Sequence, residues 1–218
     1  IYYKKDDADW YDIDGEKANE YTSRIINHSL GTGFIIGKNL GIEFSANYES
    51  SNLNSFPVEE EFEDYENQIT RTASIVIDFD SRDDALITRN GILANIKLLD
   101  SEYDNQRYQS FIIDFDFYKT LGRNTFRINF ISRDIGDEAL FHNTLFQGQA
   151  DRNIGYYPYF LNSNQLETFG LEWKYHYKSL YIRLFYNTTS KLYQKYNDST
   201  FTLDSSINSY GLGITLKS

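Results

Sequence analysis

Clustered carboxylates are the part of this sequence that comes closest to a chemical site. Asp78, Asp80, Asp83 and Asp84 lie close together, and the stretch EEEFED occupies residues 59–64. Ca²⁺ is bound by groups of carboxylate oxygens, but in a defined loop spacing that neither segment has. We therefore interpret the first cluster as a solvated acidic turn and the second as a solvated surface loop that could hold cations.

Other groups that could do chemistry are scattered or missing. His28, His142 and His176 lie far apart in the sequence, which argues against a histidine metal site. The chain has no cysteine, which excludes a disulfide or a cysteine nucleophile. It also lacks a G-x-S-x-G nucleophile elbow. We expect no catalytic residue, no bound metal and no cofactor in residues 1–218.

Composition narrows the class of protein. The net charge of −11 argues against a nucleic-acid partner. Aromatic residues make up 17% of the chain, with 19 Tyr and 16 Phe against 2 Trp. Tyr and Phe favour β-strands, and Tyr also suits the interface between a membrane and water. No apolar run reaches the roughly 18 residues that a transmembrane helix needs.

Alternating hydrophobic residues predict β-strands along the whole chain. Residues 68–99 show this most clearly, because Ile75 and Ile77 fall on one face of a strand while Ser74 and Asp78 fall on the other. The same pattern recurs in about ten segments. No amphipathic helix is predicted.

The connections between these strands alternate between short and long. Short turns are predicted at 37–41, 119–123 and 178, and long polar loops at 6–20, 50–65, 134–165 and 188–206. Strands of around ten residues suit a tilted crossing of a bilayer, whereas strands of soluble sandwiches are more often five or six residues long. The sequence therefore predicts an all-β fold, a transmembrane antiparallel up-and-down β-barrel, with a soluble sandwich as the alternative.

The alternation also assigns side chains to the two faces of a barrel wall. The lumen face is expected to hold Asp114, Asp116, Arg127, Arg133, Glu172, Lys174 and Arg183. The lipid face is expected to hold Ile75, Ile77, Phe111, Ile113, Phe115, Ile128, Leu171, Trp173 and Ile182. His28 and Arg71 interrupt the apolar face, so we expect each to lie near a membrane interface or to be paired. His176 shares the lumen face with Glu172 and Lys174, where a polar network is expected.

One stretch resembles a known family. DFDSRDDALITRNGILANIKL is similar to the periplasmic hairpin of the bacterial surface antigen barrels, a superfamily that contains the BamA- and TamA-type assembly factors and the barrels of patatin-like outer-membrane proteins. Thr88 stands where the family often has proline. The matching positions are Asp78, Asp80, Arg82, Asp83, Arg89 and Gly91.

Further motifs support this resemblance. LGRNTFRINF resembles the strand before the family's longest extracellular loop, and INSYGLGITLKS resembles the strand before its Pro-x-Gly-Pro turn. The long loop of the family has an Arg-Gly-aromatic signature, which Gly155 and Tyr156 match. Ile154 takes the place of the signature arginine, and Arg152 lies two positions earlier. In the assembly factors that arginine packs against acidic lumen residues, so its replacement favours the patatin-like branch, which the hairpin GKNLGIEFSANYE also resembles.

The resemblance implies a barrel of sixteen strands. Residues 1–218 are then a single outer-membrane barrel domain, incomplete at both ends, that covers about the fifth to the fourteenth strand. The implied location is the bacterial outer membrane. The implied function is type V secretion, in which the barrel anchors or translocates an N-terminal patatin-like lipase domain upstream of Ile1. The implied partners are outer-membrane lipids, lipopolysaccharide and that upstream domain, and homodimerisation is left open.

Other functions stay open. One alternative is an outer-membrane protein assembly or insertion factor of the BamA and TamA type. A second is a passive pore or a small barrel enzyme. A ten-strand surface protease would need Asp and His at the extracellular rim, and of the three histidines only His142 lies in a predicted long loop.

Overall fold

The computed structural model describes residues 2–11, 17–57, 65–85, 87–136, 145–146, 162–178, 180–196, 199–203 and 206–216. In these ranges the regular elements are β-strands: β1 (Tyr2–Tyr11), β2 (Lys17–Ile36), β3 (Leu40–Pro57), β4 (Tyr65–Asp80), β5 (Gly91–Tyr103), β6 (Gln106–Leu121), β7 (Asn124–Ile135), β8 (Leu145–Phe146), β9 (Asn162–Ser163), β10 (Gln165–Tyr177), β11 (Leu180–Tyr196), β12 (Ser199–Leu203) and β13 (Ile207–Leu216). The described part of the chain contains no helix with the length and hydropathy of a membrane span.

One antiparallel sheet contains eleven of these strands in the order of the sequence, except that β7 pairs with β10 past β8 and β9, and β13 pairs with β11 past β12. β12 pairs with the end of β11 around Leu192, whereas β13 pairs with the other end around Leu184. These two short strands therefore occupy one position beside β11, and the described sheet is ten positions wide. β8 and β9 form a separate two-stranded hairpin between β7 and β10. The all-β, antiparallel, up-and-down prediction with about ten strands is confirmed.

The two ends of the sheet differ in their connections. We call the end with residues 37–39, 81–90, 122–123 and 178–179 the turn side, and the end with 12–16, 58–64, 104–105, 136–164 and 197–198 the loop side. Each connection predicted as short lies on the turn side, and each predicted as long lies on the loop side.

The strands extend further towards the loop side than the alternation predicts. β1 and β2 occupy most of the predicted loop 6–20, β3 continues to Pro57, and β11 with β12 fills most of the predicted loop 188–206. These loop boundaries were wrong for a physical reason. Alternating hydrophobicity marks a strand only where one face meets an apolar medium, whereas backbone hydrogen bonds to a neighbouring strand continue in polar sequence too.

The polar face of the sheet is buried and the apolar face is exposed, which is the reverse of a soluble β-sandwich. We call the face that holds Asp116, Asn129 and Glu172 the inner face, and there every buried strand residue of the described chain is found, including Thr168 and Thr189 at 0% exposure. The opposite, outer face exposes the large hydrophobic residues: Ile26, Leu30, Phe34, Ile36, Phe44, Tyr48, Ile75, Leu98, Phe111, Phe117, Leu121, Phe126, Ile128, Phe169, Leu171, Tyr177, Leu184, Tyr186, Tyr210, Leu212 and Ile214. One exposed hydrophobic residue, Ile35, lies on the inner face beside the 37–39 turn.

The inner face also contains an apolar cluster, which lies towards the loop side. Tyr108, Ile131, Ile135 and Leu166 are all buried there and form one hydrophobic cluster. Asn164 is also buried, and it ties the long connection to β7, because its carbonyl accepts from Ile135 N at 2.7 Å. The base of the long connection is therefore fixed against this cluster.

Candidate functional site: the charged inner wall and the braced turn

An ion-pair cluster lies on the inner face across β6, β7 and β10. Arg127 is at its centre, with Nη2 2.7 Å from Asp116 Oδ1 and Nη1 3.3 Å from Glu172 Oε2. Lys174 Nζ lies 3.0 Å from Glu172 Oε1. Both cations also face the ring of Tyr118, with Arg127 Cζ 5.6 Å and Lys174 Nζ 5.9 Å from its centroid. The cluster contains two acids and two bases, so its charges balance.

Strand register brings these residues together. Arg127 of β7 is paired with Tyr118 on one side and with Glu172 on the other. Asp116 and Lys174 are each two residues from one of those partners, so they point to the same face. The two carboxylate side chains are 7% exposed and that of Arg127 is 20% exposed, which strengthens the attraction relative to a surface pair.

The remaining predicted lumen charges also lie on the inner face. Arg133 Nη2 lies 3.2 Å from Asp114 Oδ1. Arg183 lies over the ring of Phe185, with Cζ 5.2 Å from the centroid, and has no ion-pair partner among the described residues. The structure therefore groups six of the seven predicted lumen residues into two ion-pair clusters. That this face borders a lumen remains a prediction.

Sequence reasoning missed several polar contacts of the inner face. Thr125 Oγ1 lies 2.7 Å from His176 Nε2 and is also bonded to Thr120 Oγ1 at 2.7 Å. The His176 ring meets Tyr181 edge-on, with centroids 4.7 Å apart. His176 therefore belongs to a network of hydroxyl groups and a ring, and its bonded partner is Thr125 rather than Glu172 or Lys174. The contact between Thr125 and His176 depends on the register between strands, which the alternation of hydrophobic residues does not show.

The 81–90 turn uses its carboxylates internally. Asp80 holds Arg82 through two parallel hydrogen bonds, of 3.0 Å from Nε and 2.9 Å from Nη2. Asp83 accepts from the backbone N–H of Arg89 at 2.8 Å and of Asn90 at 3.1 Å, and these bonds lower the pKa of the Asp83 carboxyl. Asp78 accepts from the Asn95 amide, and Asp84 Oδ1 accepts from Ile87 N at 3.0 Å. In the described residues no group of three His, Asp or Glu side chains is arranged to hold a metal ion.

This turn is also braced against its neighbours. Gly91 has a φ of +123°, and a Cβ there would lie 2.5 Å from Ser81 O, so another residue would strain the turn. Asn90 Oδ1 accepts from Thr120 N at 3.1 Å, and Thr120 Oγ1 donates to Arg89 O at 2.8 Å. All six motif positions of this segment thus lie in or beside one turn that is hydrogen-bonded internally and to β6.

The predicted lipid-facing residues share the outer face of the sheet. The nine lie on strands β4, β6, β7, β10 and β11. Four of them, Ile75, Phe111, Ile128 and Leu171, are 38–45% exposed. Trp173 donates from Nε1 to Asn124 Oδ1 at 2.9 Å, near the turn side. The two polar residues predicted to interrupt this face, His28 and Arg71, lie in one row on either side of Tyr48.

Three positions of the family signature, Arg152, Gly155 and Tyr156, lie outside the described residues. The acidic stretch at 59–64 and His142 lie outside them as well.

Eleven of the strands form one up-and-down antiparallel sheet with an apolar exposed face and a charged buried face, an architecture found among barrel-type outer-membrane transporters. One solved structure with this fold is CdiB from Acinetobacter baumannii, a barrel-type outer-membrane transporter, to which the chain is similar with a TM-score of 0.61. The match covers 95% of this chain and 38% of CdiB, at 8% sequence identity. At that identity the likeness concerns the fold. No protein-family model and no curated protein matches the chain.

Proposed function

We propose that the chain is the membrane-embedded part of a translocator-type β-barrel of the bacterial outer membrane. The observation that supports this best is the inverted burial of the sheet. Leu212 and Ile214 are each 66% exposed on the outer face, while Thr168 and Thr189 are fully buried on the inner face. A soluble sheet buries its apolar face because burial stabilises by roughly 25 cal/mol per Å² of apolar surface. In a membrane barrel lipid covers that face instead.

The charged inner wall fits a wet barrel interior. Arg127, Asp116 and Glu172 lie in the middle of their strands, level with exposed apolar residues such as Ile128 and Leu171 on the other face. A cation facing lipid at that depth would cost roughly 2–4 kcal/mol. On the inner face it meets paired carboxylates and, in our proposal, water.

The edges of the sheet support the proposal of a larger barrel. In the described residues β1 pairs only with β2, and β13 pairs only with β11. Unpaired backbone N–H and C=O groups are not tolerated in the hydrocarbon of a membrane. We infer that both edges pair with further strands of the same barrel, in line with a chain that spans 38% of CdiB and with the sixteen strands of the family it resembles.

We further propose that this barrel serves type V secretion and anchors or exports a patatin-like lipase domain located upstream of Ile1. The replacement of the signature arginine by Ile154 and the resemblance of the hairpin GKNLGIEFSANYE support this branch. Outer-membrane lipids and the upstream domain are then its partners, and residues 1–218 take no part in the hydrolysis.

One experiment separates this function from the assembly-factor alternative. The natural full-length protein, purified from outer membranes, is treated with a fluorophosphonate probe for active serine hydrolases, and its intact mass is recorded. We expect labelling on a chain much larger than residues 1–218. An unlabelled protein whose extra mass consists of small periplasmic repeat domains would contradict the lipase passenger and favour an assembly factor.

A conductance measurement addresses the pore alternative. A passive pore passes ions steadily in planar bilayers, whereas a translocator is expected to be closed or to open only in brief events. Steady conductance would contradict the translocator.

A further inference from the structure

A polar row crosses the outer face of the sheet on the loop side of the apolar band. Strand register places His28, Tyr48, Arg71, Glu102 and Arg107 side by side on five consecutive strands. All five are exposed. The next row towards the turn side contains Leu30, Ala46 and Ala73 on β2, β3 and β4, and it continues as Asp100 and Gln109 on β5 and β6. On β2, β3 and β4 the polar row therefore marks the level at which the outer face changes from apolar to charged, whereas on β5 and β6 polar residues reach one row further.

A groove lies beside this polar row, on its turn side. It has a volume of about 710 Å³ and is lined by Ala46 and Ala73 together with residues of the row, including Arg71. The two alanines leave a depression because their neighbours on the outer face are larger. A second groove of about 780 Å³ shares Ala73 and Asp100 with the first and continues between Phe44, Ile75 and Leu98. Together they form one channel that runs from the charged row into the apolar band, with the paired carboxylate of Asp100 on one side and apolar side chains on the other.

The two arginines of the polar row differ in the contacts that their side chains make. Arg107 is held by Asp100 through two hydrogen bonds, one of them 2.7 Å from Nε to Oδ1. Arg71 makes no hydrogen bond, ion pair or ring contact with any of the described residues, although Glu102 is its neighbour in the register. The Arg71 guanidinium, exposed at the head of this channel and not engaged by any described side chain, is complementary to an amphiphile with an anionic head.

We propose that this channel is a binding site for a phosphorylated glycolipid of the leaflet on the loop side, the chemistry of lipopolysaccharide. The phosphate contacts the Arg71 guanidinium, and an acyl chain lies over Ala46 and Ala73 and continues past Ile75. Arginine suits phosphate because its planar fork donates two parallel hydrogen bonds. The site rests on the proposed function, since it requires the outer face to meet lipid.

The test uses the natural full-length protein in detergent, titrated with the phosphorylated lipid anchor of lipopolysaccharide and followed by native mass spectrometry. The dephosphorylated form of the same glycolipid and inorganic phosphate serve as the other two ligands. We expect the phosphorylated glycolipid to bind at least about tenfold tighter than the dephosphorylated one, and phosphate alone not to compete. Arg71→Gln should abolish that preference.

Two further variants distinguish the contribution of the phosphate head group from that of the acyl chain. Ala73→Phe fills the channel with an apolar side chain that the outer face tolerates, and it should weaken both glycolipids alike. Glu102→Gln removes the acid beside Arg71 and should tighten the phosphorylated glycolipid. Arg123→Gln is the matched control, because Arg123 is an exposed arginine on the turn side, and it should change nothing.

Three results would overturn the site: equal binding of the two glycolipids by the unmodified protein, an unchanged preference in Arg71→Gln, or weaker binding in Glu102→Gln, which would indicate a cation bridge instead of a direct contact. Failure of the proposed function looks different. In that case the unmodified protein does not insert into lipid vesicles at all, whereas failure of the site alone leaves insertion intact in every variant.

Discussion

Gly170 shows how closely the inner wall is packed at the scale of single residues. A Cβ at this position would lie 1.9 Å from Asn129 Oδ1 and 2.2 Å from Asn187 Oδ1, so two amide side chains meet over the glycine. Gly170→Ala is expected to destabilise the sheet by roughly 1–3 kcal/mol, because the amides must move in a packed layer. Urea unfolding in detergent measures this.

Gly41→Ala is the control for that prediction. Gly41 also lies on the inner face of a strand, but a Cβ there would meet only Asp78 Cβ, at 3.9 Å. Gly41→Ala should change the free energy of unfolding by less than about 0.5 kcal/mol. Equal losses of stability in the two variants would show that the close contacts of Asn129 and Asn187 with Gly170 do not limit the size of the residue at this position.

Arg127 is the residue on which the inner charge cluster depends. Arg127→Gln leaves Asp116 and Glu172 as neighbouring carboxylates that are 7% exposed and have lost their shared cation. Removing one partner of a buried pair costs about 3–5 kcal/mol, and we expect roughly 2–4 kcal/mol here because the Arg127 side chain is partly exposed. Lys174→Gln should cost less than about 1 kcal/mol, since Arg127 still neutralises Glu172. Unfolding in urea, compared between the two variants, tests this order.

Residue types and alternation were enough to place the inner charges on one face, but not to pair them. The sequence shows that Asp116, Arg127 and Glu172 fall on the polar side of three strands. Their contact depends on the register between strands, which arises from turn geometry such as that at 122–123 and from the packing of whole strands. For the same reason the bond between Thr125 and His176 could not be predicted.

At the scale of elements, the 81–90 turn depends on the ionised form of Asp83. The backbone N–H groups of Arg89 and Asn90 lower the pKa of this carboxyl below its ordinary value of 3.8. A lowered pKa in the folded state means that the stabilisation is fully present above the unfolded value and is lost as pH falls through the folded value. We expect the amide NMR shifts of Arg89 and Asn90 to titrate with a midpoint below 3.8.

Asp83→Asn is the control for the turn. It should remove this titration while leaving the bonds between Asp80 and Arg82 in place. A midpoint above 3.8 in the unmodified protein would contradict the role given to the two backbone donors.

The two faces of β4 provide the sharpest test of the membrane assignment. Ile75 is 38% exposed on the outer face, while its neighbour Ser74 points inward, with Oγ 2.6 Å from Ser45 Oγ. If lipid covers the outer face, Ile75→Arg should cost roughly 2–4 kcal/mol and Ser74→Arg far less. Urea unfolding from lipid vesicles measures both. Equal costs would contradict a membrane barrel.

Element boundaries show where sequence reasoning reaches its limit. The middle of each strand was predictable, because there one face is apolar and the period of two is clear. The ends of β11 and the whole of β12 were not, since polar residues there occupy both faces and the strands are defined by backbone pairing alone. The alternation therefore measures the apolar band, not the full length of a strand.

The polarity of the outer face changes along the strand direction. In the apolar band the outer face is hydrophobic and the inner face charged. Towards the loop side, Arg71 and Arg107 lie outside, while on the inner face the buried Ile131 and Leu166 accompany polar residues such as Arg133. Charged outer residues are expected where a barrel leaves the membrane, because water then covers the outside and part of the interior can form a hydrophobic core.

The open edges of the sheet distinguish a ten-strand barrel from a larger one. In a closed ten-strand barrel β1 would pair with β13, whereas in a larger barrel further strands separate them. Residues 1–218 contain no cysteine, so introduced cysteines are the only ones in this part of the protein and report this pairing. In the full-length protein, a cysteine at Leu212 should not cross-link with any cysteine along residues 2–11. Leu184 and Leu212 are register partners, within the roughly 4.4–6.8 Å that a disulfide spans between Cα atoms, so a cysteine pair there should cross-link readily. A cross-link from β13 to β1 would show that ten strands close the barrel and would rule out the sixteen-strand architecture.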